Sequence, residues 1–365
     1  MAKIIKILRY FKQYGIGAPP YAAYVLGWHG HNNLGDEAVY GALKGYFSRY
    51  RFVDYPKRLP AMCMRSLSKM ELGLLAGGTM ISGDMSGALH TQKCFSQCPR
   101  KIVFGSGVHR PDFWIERRGA QEWNDAVTVW KETLKQCDYI GVRGPDSAMV
   151  LTDWGLKNVE VIGDPALFYA DDNPLEPLLS SQPSVGLNLA KTENLQMYGE
   201  SDTYLREFAD LAIRFKKAGW AIQWYVLWPD DYAPTKKIAE MTGTADAIIP
   251  VYTDCCKFMA SVKQRSLFVG TRLHAVALSA AAYVPSISLE YQPKCSDFMK
   301  SIGQQDRVIR IDRFNADLAW ELVLHTHRRQ KEISEMLYQS VQELRCSQVR
   351  WAKEFEYKPS GCDAC

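Results

Sequence analysis

Short apolar runs alternate with segments of helical periodicity through most of this 365-residue chain. The first five runs lie at residues 24–27, 72–76, 102–105, 139–142 and 159–162. Strands that alternate with helices in this way form parallel βαβ units, because each connection must cross the sheet to start the next strand. The pattern therefore predicts a first parallel sheet in the N-terminal half.

A second series of the same kind follows, with apolar runs at 185–189, 222–227, 248–251, 267–269 and 286–289. Between the two series, residues 170–183 are rich in Asp, Pro and Ser and have no clear period, which is typical of a linker. At about 150 residues per domain, the length favours two domains. We predict an α/β fold of two Rossmann-like domains that face a cleft, at 1–172 and 173–312, with a C-terminal helical segment at 313–365 packed on them.

Composition excludes several classes of protein. With 47% hydrophobic and 23% charged residues, the chain has the balance of a globular protein. A net charge of +4 without a stripe of Lys and Arg argues against a nucleic-acid partner. The uncharged run at 273–289 approaches the length of a membrane span, but Pro285 and several polar residues interrupt it. That run predicts a helix followed by a strand.

Ten cysteines with no signal peptide ahead of them indicate reduced thiols and a cytoplasmic location. None of the close cysteine pairs has a second pair at zinc-finger spacing, and no HxxxH or HExxH motif occurs. The sequence therefore predicts no metal site.

Residues 1–12 have the pattern of a short basic amphipathic helix, with Ile4, Leu8 and Phe11 on one face and lysines between them. Two interpretations stay open. The helix packs on the protein with its lysines in solvent, or it contacts anionic lipid at the inner face of a membrane.

Glycine-containing turns follow two strands of the first series at their carboxyl ends, where open α/β sheets bind ligands. The first turn ends in Asn33, Gly35 and Asp36 as a helix begins. Asp36 has two interpretations, a carboxylate that stabilises the helix end or a functional group in the cleft. Gly77 and Gly78 follow a later strand and permit close approach of a ligand to the backbone.

Cations and a histidine follow other strand ends. Arg143 suits a bound carboxylate or phosphate, or alternatively a structural salt bridge. Arg272, Leu273 and His274 open a helix whose backbone N–H groups would face an anion, and Lys294 lies beyond the next strand. Together these residues predict an anion-binding cleft in which His274 can transfer protons near neutral pH.

Six short motifs occur in order along the chain: Asn-Leu-Gly-Asp-Glu-Ala at 33–38, Gly-Gly at 77–78, Val-Arg-(x3)-Ser at 142–147, Gly-Asp-Pro-Ala at 163–166, Arg-Leu-His at 272–274 and Tyr-(x2)-Lys at 291–294. This order resembles the polysaccharide pyruvyl transferase family, over about residues 24–294. One departure is Ala76 before the Gly-Gly pair, where the family often has a third glycine.

The resemblance implies a glycosyltransferase-B-like architecture and a pyruvyltransferase activity. The enolpyruvyl carbons of phosphoenolpyruvate would move to two hydroxyls of one sugar, with release of phosphate and formation of a cyclic pyruvate ketal. The acceptor would be a sugar of a glycan or of a lipid-linked oligosaccharide, and no cofactor or metal is implied beside the donor. Residues 1–172 would form the acceptor side and 173–312 the donor side.

The resemblance also implies roles at matching positions. Phosphoenolpyruvate, with its carboxylate and phosphate, would be bound by Arg143, Arg272, Leu273, His274 and Lys294. His274 would protonate the methylene carbon, with Arg143 among the catalytic residues. Asp36 would accept the proton of the attacking hydroxyl. The acceptor side of the cleft would be lined by Asn33, Gly35, Asp36, Gly77 and Gly78.

Two other functions stay open. A nucleotide-sugar glycosyltransferase of the same two-domain plan would also need cations on a diphosphate, together with a nucleoside pocket. A non-catalytic, sugar-binding component of a polysaccharide assembly complex would need neither donor. The combination of Arg272, His274 and Lys294 argues against the non-catalytic alternative.

Overall fold

The computed structural model of the chain describes residues 22–54, 70–174, 182–191, 197–198 and 201–355. The predicted amphipathic helix at 1–12 lies outside the described residues, as does part of the predicted linker. Within the described ranges, no helix has both the length and the apolar composition that crossing a bilayer requires.

The first sheet has strands β1 Ala22–Leu26, β2 Arg51–Asp54, β3 Leu72–Ala76, β4 Arg100–Ser106, β5 Tyr139–Val142 and β6 Val159–Val161. These six strands are parallel, in the order β2-β1-β3-β4-β5-β6. All residues of β1, β3 and β5 are buried, because parallel strands are covered on both faces. We call residues 22–169 the first lobe.

The described part of this lobe has five α-helices: α1 Leu34–Tyr46, α2 Met85–Phe95, α3 Pro111–Arg118, α4 Ala120–Leu134 and α5 Pro145–Asp153. Local sequence explains where several of them begin. Asn33 caps α1 by accepting a hydrogen bond from the Gly35 N–H, and Asp84 caps α2 in the same manner. Proline opens α3 and α5, where a missing N–H has no cost.

The second sheet has strands β7 Ser184–Asn188, β8 Ala221–Val226, β9 Ile248–Pro250, β10 Leu267–Gly270, β11 Ser286–Glu290 and β12 Val308–Arg310. The six strands that the structure describes here are again parallel, in the order β12-β11-β10-β7-β8-β9. We call residues 184–313 the second lobe. The two sheets confirm the predicted α/β class.

The helices of the second lobe are α6 Ser201–Lys217, α7 Tyr232–Met241, α8 Cys255–Val262, α9 Leu273–Ala281 and α10 Lys294–Ser301. Helix α9 and strand β11 occupy the uncharged run at 273–289, which confirms a helix followed by a strand. Eight of the nine residues of α9 are buried, and this accounts for the lack of charge in the run.

Two C-terminal helices follow, α11 Ala316–Arg328 and α12 Gln330–Phe355. The long α12 begins against the second lobe and ends against the first. Its Gln348 accepts a hydrogen bond from the Tyr46 hydroxyl and donates to the carbonyls of Ile162 and Asp164. Trp351 stacks on Tyr139 at a centroid distance of 3.6 Å. This helix therefore ties both lobes together along one side.

Strands β2 and β12 were not among the strands predicted from sequence. Each lies at an edge of its sheet, has three or four residues and contains an arginine. Short edge strands with charged residues are common, because they discourage pairing with other chains. They lack the apolar run that identified the central strands.

A buried carboxylate joins the lobes at the start of α5. Asp297 of α10 accepts hydrogen bonds from the backbone N–H groups of Asp146 and Ser147, at 2.9 and 3.2 Å, and from the Ser147 hydroxyl at 2.6 Å. No side chain of α5's own lobe caps this helix. A residue of the second lobe thus accepts the hydrogen bonds of the free N–H groups at the start of α5 in the first lobe.

We expect Asp297→Ala to lower the free energy of unfolding by about 2–3 kcal/mol, because it leaves buried N–H groups without an acceptor. Denaturant titration followed by tryptophan fluorescence measures the loss. Asp84→Ala is the matched control, since Asp84 caps α2 within one lobe at an exposed site and should cost about 1 kcal/mol. Equal losses in the two variants would contradict a clasp between the lobes.

Candidate active site

A cavity of about 250 Å³ lies between the carboxyl ends of the two sheets. The first lobe lines it with Trp28, Asn33, Asp36, Gly78, Thr79, Met80 and Arg143, and the second with Leu227, Trp228, Arg272, Leu273, His274, Tyr291 and Lys294. Eight of the predicted site residues are in this set: Asn33, Asp36, Gly78, Arg143, Arg272, Leu273, His274 and Lys294. Parallel strands explain the convergence, since all of these residues follow strand ends.

Gly35 and Gly77 are not among the lining residues of this cavity. Both are buried behind its wall, where a side chain would not fit. A Cβ atom on Gly35 would overlap the imidazole of His274, and one on Gly77 would overlap Val39. Gly77 also has a φ of +60°, which other residues rarely adopt. These glycines shape the cavity by close packing of its wall.

His274 faces a fully buried carboxylate. Its Nε2 lies 3.6 Å from Oδ2 of Asp164, which follows the first sheet in the Gly-Asp-Pro-Ala motif. Burial alone would raise the pKa of Asp164, but the facing imidazole, the Arg143 guanidinium and the Ala166 N–H together bring it below its usual value. Asp164 is therefore held as an anion that faces the His274 imidazole.

Arg143 is almost completely buried and points from the end of β5 toward the cavity floor. Its guanidinium donates to the carbonyl of Gly78 at 2.9 Å and to the Thr79 hydroxyl at 3.0 Å. The carboxylate of Asp164 lies 3.9 Å away. A side chain on Gly107 would overlap this guanidinium. Arg143 thus forms a structural ion pair and also lines the cavity wall.

Arg272 has a partner that the sequence did not predict. Its Nε and Nη2 donate to the two oxygens of buried Asp231, at 2.9 and 2.7 Å. This bidentate pair fixes the guanidinium and offsets much of its charge. Arg272 therefore reaches the cavity as an oriented donor, not as an isolated cation.

The backbone at the start of α9 also differs from expectation. The N–H of Thr271 donates to the Asn188 carbonyl and that of Arg272 to the Asn188 side chain, at 3.1 and 3.0 Å. Of the three residues predicted to turn their N–H groups toward an anion, Arg272 does not, because Asn188 of the neighbouring strand already accepts its N–H. Anion binding here must depend on side chains or on later N–H groups.

Asp36 lies in the first turn of α1, but Asn33 is the residue that caps this helix. The Asp36 carboxyl borders the cavity, and burial raises its pKa, an effect that the nearby His274 and Lys294 partly oppose. A carboxylate with a raised pKa holds a proton more readily than an exposed one. Asn33 caps the helix, so Asp36 is a carboxyl group of the first turn that also borders the cavity.

Lys294 opens α10 and completes the cation set. Its ammonium lies 4.7 Å from the centre of the Tyr291 ring. Among the described residues, no carboxylate lies within 4.0 Å of it, in contrast to Arg143 and Arg272. Lys294 is therefore the cation most available to an anionic ligand.

His109 is a further residue near these cations. It lies in the loop after β4, and the sequence around it predicts no role for it. Desolvation, aided by Lys294 and Arg143, lowers its pKa to about 3. His109 is therefore neutral near pH 7 and adds no charge to the site.

Several residues of the site were missed from sequence. Asp164 belongs to a motif that was noted without a role, and Tyr291 is the tyrosine of the Tyr-(x2)-Lys motif. Asp231 and the two tryptophans, Trp28 and Trp228, carried no such signal. They follow strand ends, and that position alone could have placed them at the cleft.

Comparison with solved structures identifies the architecture. A structure of S. aureus MnaA with UDP has a TM-score of 0.56 at 12% identity, over 93% of this chain and 99% of that one. UDP-GlcNAc 2-epimerase from Neisseria meningitidis, bound to UDP-GlcNAc, has a TM-score of 0.50 at 9% identity, over 91% and 100%. At such low identity, structural similarity shows the fold alone. The similarity confirms the glycosyltransferase-B-like arrangement of the two lobes.

Comparison of sequences identifies the family. No curated protein sequence matches the chain. A family model described as polysaccharide pyruvyl transferase matches residues 33–293, which include the cavity residues from Asn33 to Tyr291. With that match over most of its length, the chain belongs to the polysaccharide pyruvyl transferase family.

Proposed function

We propose that this protein transfers the enolpyruvyl carbons of phosphoenolpyruvate to two hydroxyls of one sugar, with release of phosphate and formation of a cyclic pyruvate ketal. One observation carries the proposal: a histidine backed by a buried carboxylate, a second carboxyl group and three cations share a cavity of about 250 Å³. Family membership supports a glycan acceptor.

The cations match the donor. Phosphoenolpyruvate carries a carboxylate and a phosphate, and both must be desolvated to enter the cavity. Lys294 supplies an ammonium without a carboxylate partner among the described residues, while Arg143 and Arg272 supply guanidinium groups held in fixed orientations. Preorganised donors of this kind stabilise charge that develops during the reaction.

His274 has the environment of a general acid. Its Nε2 faces Asp164, and its Nδ1, the other ring nitrogen, lies beside Gly35. We propose that Nδ1 protonates the methylene carbon of the donor, which becomes a methyl group and leaves an oxocarbenium-like carbon beside it. The facing Asp164 carboxylate orients the imidazole, as a carboxylate does for a catalytic histidine elsewhere.

In the next step of the proposed reaction, Asp36 acts as the base. One sugar hydroxyl attacks the electron-poor carbon and passes its proton to the Asp36 carboxylate. The second hydroxyl then attacks the same carbon, the bond to phosphate breaks, and phosphate leaves as the hydrogen phosphate ion. The proton of the second hydroxyl leaves with phosphate, and the proton held by Asp36 replaces the one that His274 gave to the methyl group, so the reaction balances and both side chains are restored.

The nucleotide-sugar alternative draws on the structural neighbours, whose structures contain UDP or UDP-GlcNAc. Pockets for drug-sized ligands measure about 300–1,000 Å³, and the cavity of this chain is below that range. Its size favours a small donor. We propose a cytoplasmic reaction, on a sugar of a glycan or of a lipid-linked oligosaccharide.

We expect the purified protein to release phosphate from phosphoenolpyruvate only when a suitable galactosyl, glucosyl or N-acetylmannosaminyl acceptor is present. A new ketal methyl signal in the NMR spectrum of the sugar product would accompany release. In the same assay, His274→Ala should lower kcat by about 10²–10⁴-fold, because general acid catalysis is lost.

His325→Ala is the matched control, since His325 is exposed on α11, away from the cavity. It should keep full activity. A fully active His274→Ala variant would exclude the proposed acid. Binding of UDP without binding of phosphoenolpyruvate would favour the nucleotide-sugar glycosyltransferase, and acceptor binding without any phosphate release would favour a non-catalytic component.

If Asp36 is the base, its ionisation should set the acidic limb of the pH profile of kcat/KM. A base must be ionised, so kcat/KM should fall as the pH falls through the raised pKa of Asp36, above the usual value of about 3.9. Asp36→Asn should lower kcat and remove this acidic limb. Glu37→Gln is the control in the same helical turn, since Glu37 bonds the Gly30 N–H outside the cavity. An unchanged limb in Asp36→Asn would exclude Asp36 as the base.

Gly35 predicts a separate effect on His274. In Gly35→Ala the new methyl group would displace the imidazole, and a shift of about 1 Å at a catalytic group can cost about 10²-fold in rate. Helix propensity should not lower the free energy of unfolding in this variant, because alanine forms helices better than glycine does. Kinetics and thermal unfolding test this together. Gly87→Ala in α2, where the added Cβ meets only Asp84 at 3.2 Å, should remain fully active.

A further inference from the structure

Two tryptophans meet at the mouth of the cavity, one from each lobe. Trp28 follows β1 and Trp228 follows β8, and both line the cavity. Their ring centroids lie 6.2 Å apart and the ring planes are inclined by 71°. The two indoles therefore form an L-shaped aromatic corner, which we call the Trp28–Trp228 corner.

Each indole is held in place by its own lobe. Trp28 stacks on His31 at 4.7 Å, with ring planes inclined by 24°. Trp228 lies under the guanidinium of Arg272, 5.0 Å from the ring centre, and Asp231 fixes that guanidinium. Neither ring depends on the other for its orientation.

A backbone bond between the lobes fixes the distance across the corner. The N–H of Leu34, at the start of α1, donates to the carbonyl of Leu227 at 3.0 Å. Leu227 directly precedes Trp228, so this bond anchors the second wall of the corner to the first lobe. The corner is thus a preformed feature of the lobes as they sit together.

Trp28 remains unusually exposed for its type. It is the most exposed tryptophan among the described residues, at 45% of its surface. A tryptophan is a large apolar side chain that usually gains by burial, and an exposed one at the mouth of a cavity indicates a site that a ligand covers.

The chemistry of the corner differs from that of the cavity floor. Arg143 and Lys294 suit an anion, whereas an aromatic corner suits an uncharged ring that presents C–H groups. Asn33 and Asp36 border the same cavity and offer polar atoms to hydroxyls. A ring with one apolar face and several hydroxyls combines both properties, which is the description of a pyranose.

We propose that the Trp28–Trp228 corner is the acceptor subsite, where a pyranose ring stacks on Trp28 and meets Trp228 at its edge. This directs the hydroxyls of the ring toward Asp36 and His274. The role of this pyranose as the acceptor of a transfer reaction rests on the proposed function. The binding of a pyranose at the Trp28–Trp228 corner is independent of that function.

Saturation-transfer NMR tests the subsite without turnover, with the methyl β-glycosides of galactose, glucose and N-acetylmannosamine as probes and sorbitol as the acyclic control. We expect at least one pyranoside to bind the wild-type protein through its ring C–H groups. Trp28→Ala should weaken that binding by tenfold or more, and Trp28→Phe by less. The affinity for phosphoenolpyruvate, measured by calorimetry on the same variants, should change by less than twofold.

Met241→Ala is the matched control, since Met241 is a large apolar side chain, 61% exposed, that does not line the cavity. Its pyranoside binding should equal that of the wild type. Wild-type protein that binds none of the pyranosides, or undiminished binding in Trp28→Ala, overturns the subsite. Pyranoside binding that needs Trp28, in a protein that does not bind phosphoenolpyruvate, supports the subsite and rejects the proposed donor.

Discussion

The carboxylate of Asp164 is the charge around which the site is organised. It has no exposure to water, and a buried carboxylate stays ionised only if nearby groups compensate it. The compensation comes from the Ala166 N–H and Arg143 in the first lobe and from His274 in the second. Because His274 belongs to the second lobe, its contact with Asp164 forms only when the two sheets face each other. The same contact that stabilises the interface positions the histidine.

Helix α1 is the structural element that makes this contact possible. It follows β1 of the first sheet, yet its Leu34 and Ala38 pack into the apolar core of the second lobe. Its second residue, Gly35, has no side chain and so lets the imidazole approach the helix. Asn33 satisfies the helix end, which frees Asp36 to face the cavity. One helix therefore serves the fold of one lobe and the active site of both.

The cations of the cavity divide into two kinds. Arg143 and Arg272 are buried, and their guanidinium groups donate to oxygen acceptors of the protein. These bonds fix the orientation of each guanidinium but offset part of its charge. Lys294 lies at the start of α10 against an aromatic ring and keeps its charge for a ligand. Helix α10 also carries Asp297, which clasps the first lobe. The position of Lys294 across the cleft is therefore tied to the interface.

Local sequence patterns were sufficient for the central strands, the helix starts and the order of the motifs, because hydrophobic period and capping are properties of neighbouring residues. They also identified eight of the cavity residues, since ligands of parallel sheets bind at strand ends. The edge strands β2 and β12 were not predicted from sequence, because they are too short and too charged to show a hydrophobic period. The pairing of Arg272 with Asp231, 41 positions earlier, and the meeting of Trp28 with Trp228 belong to tertiary structure alone. No local pattern encodes them, because the two members of each pair come from separate strand ends that only the packed sheets bring into contact.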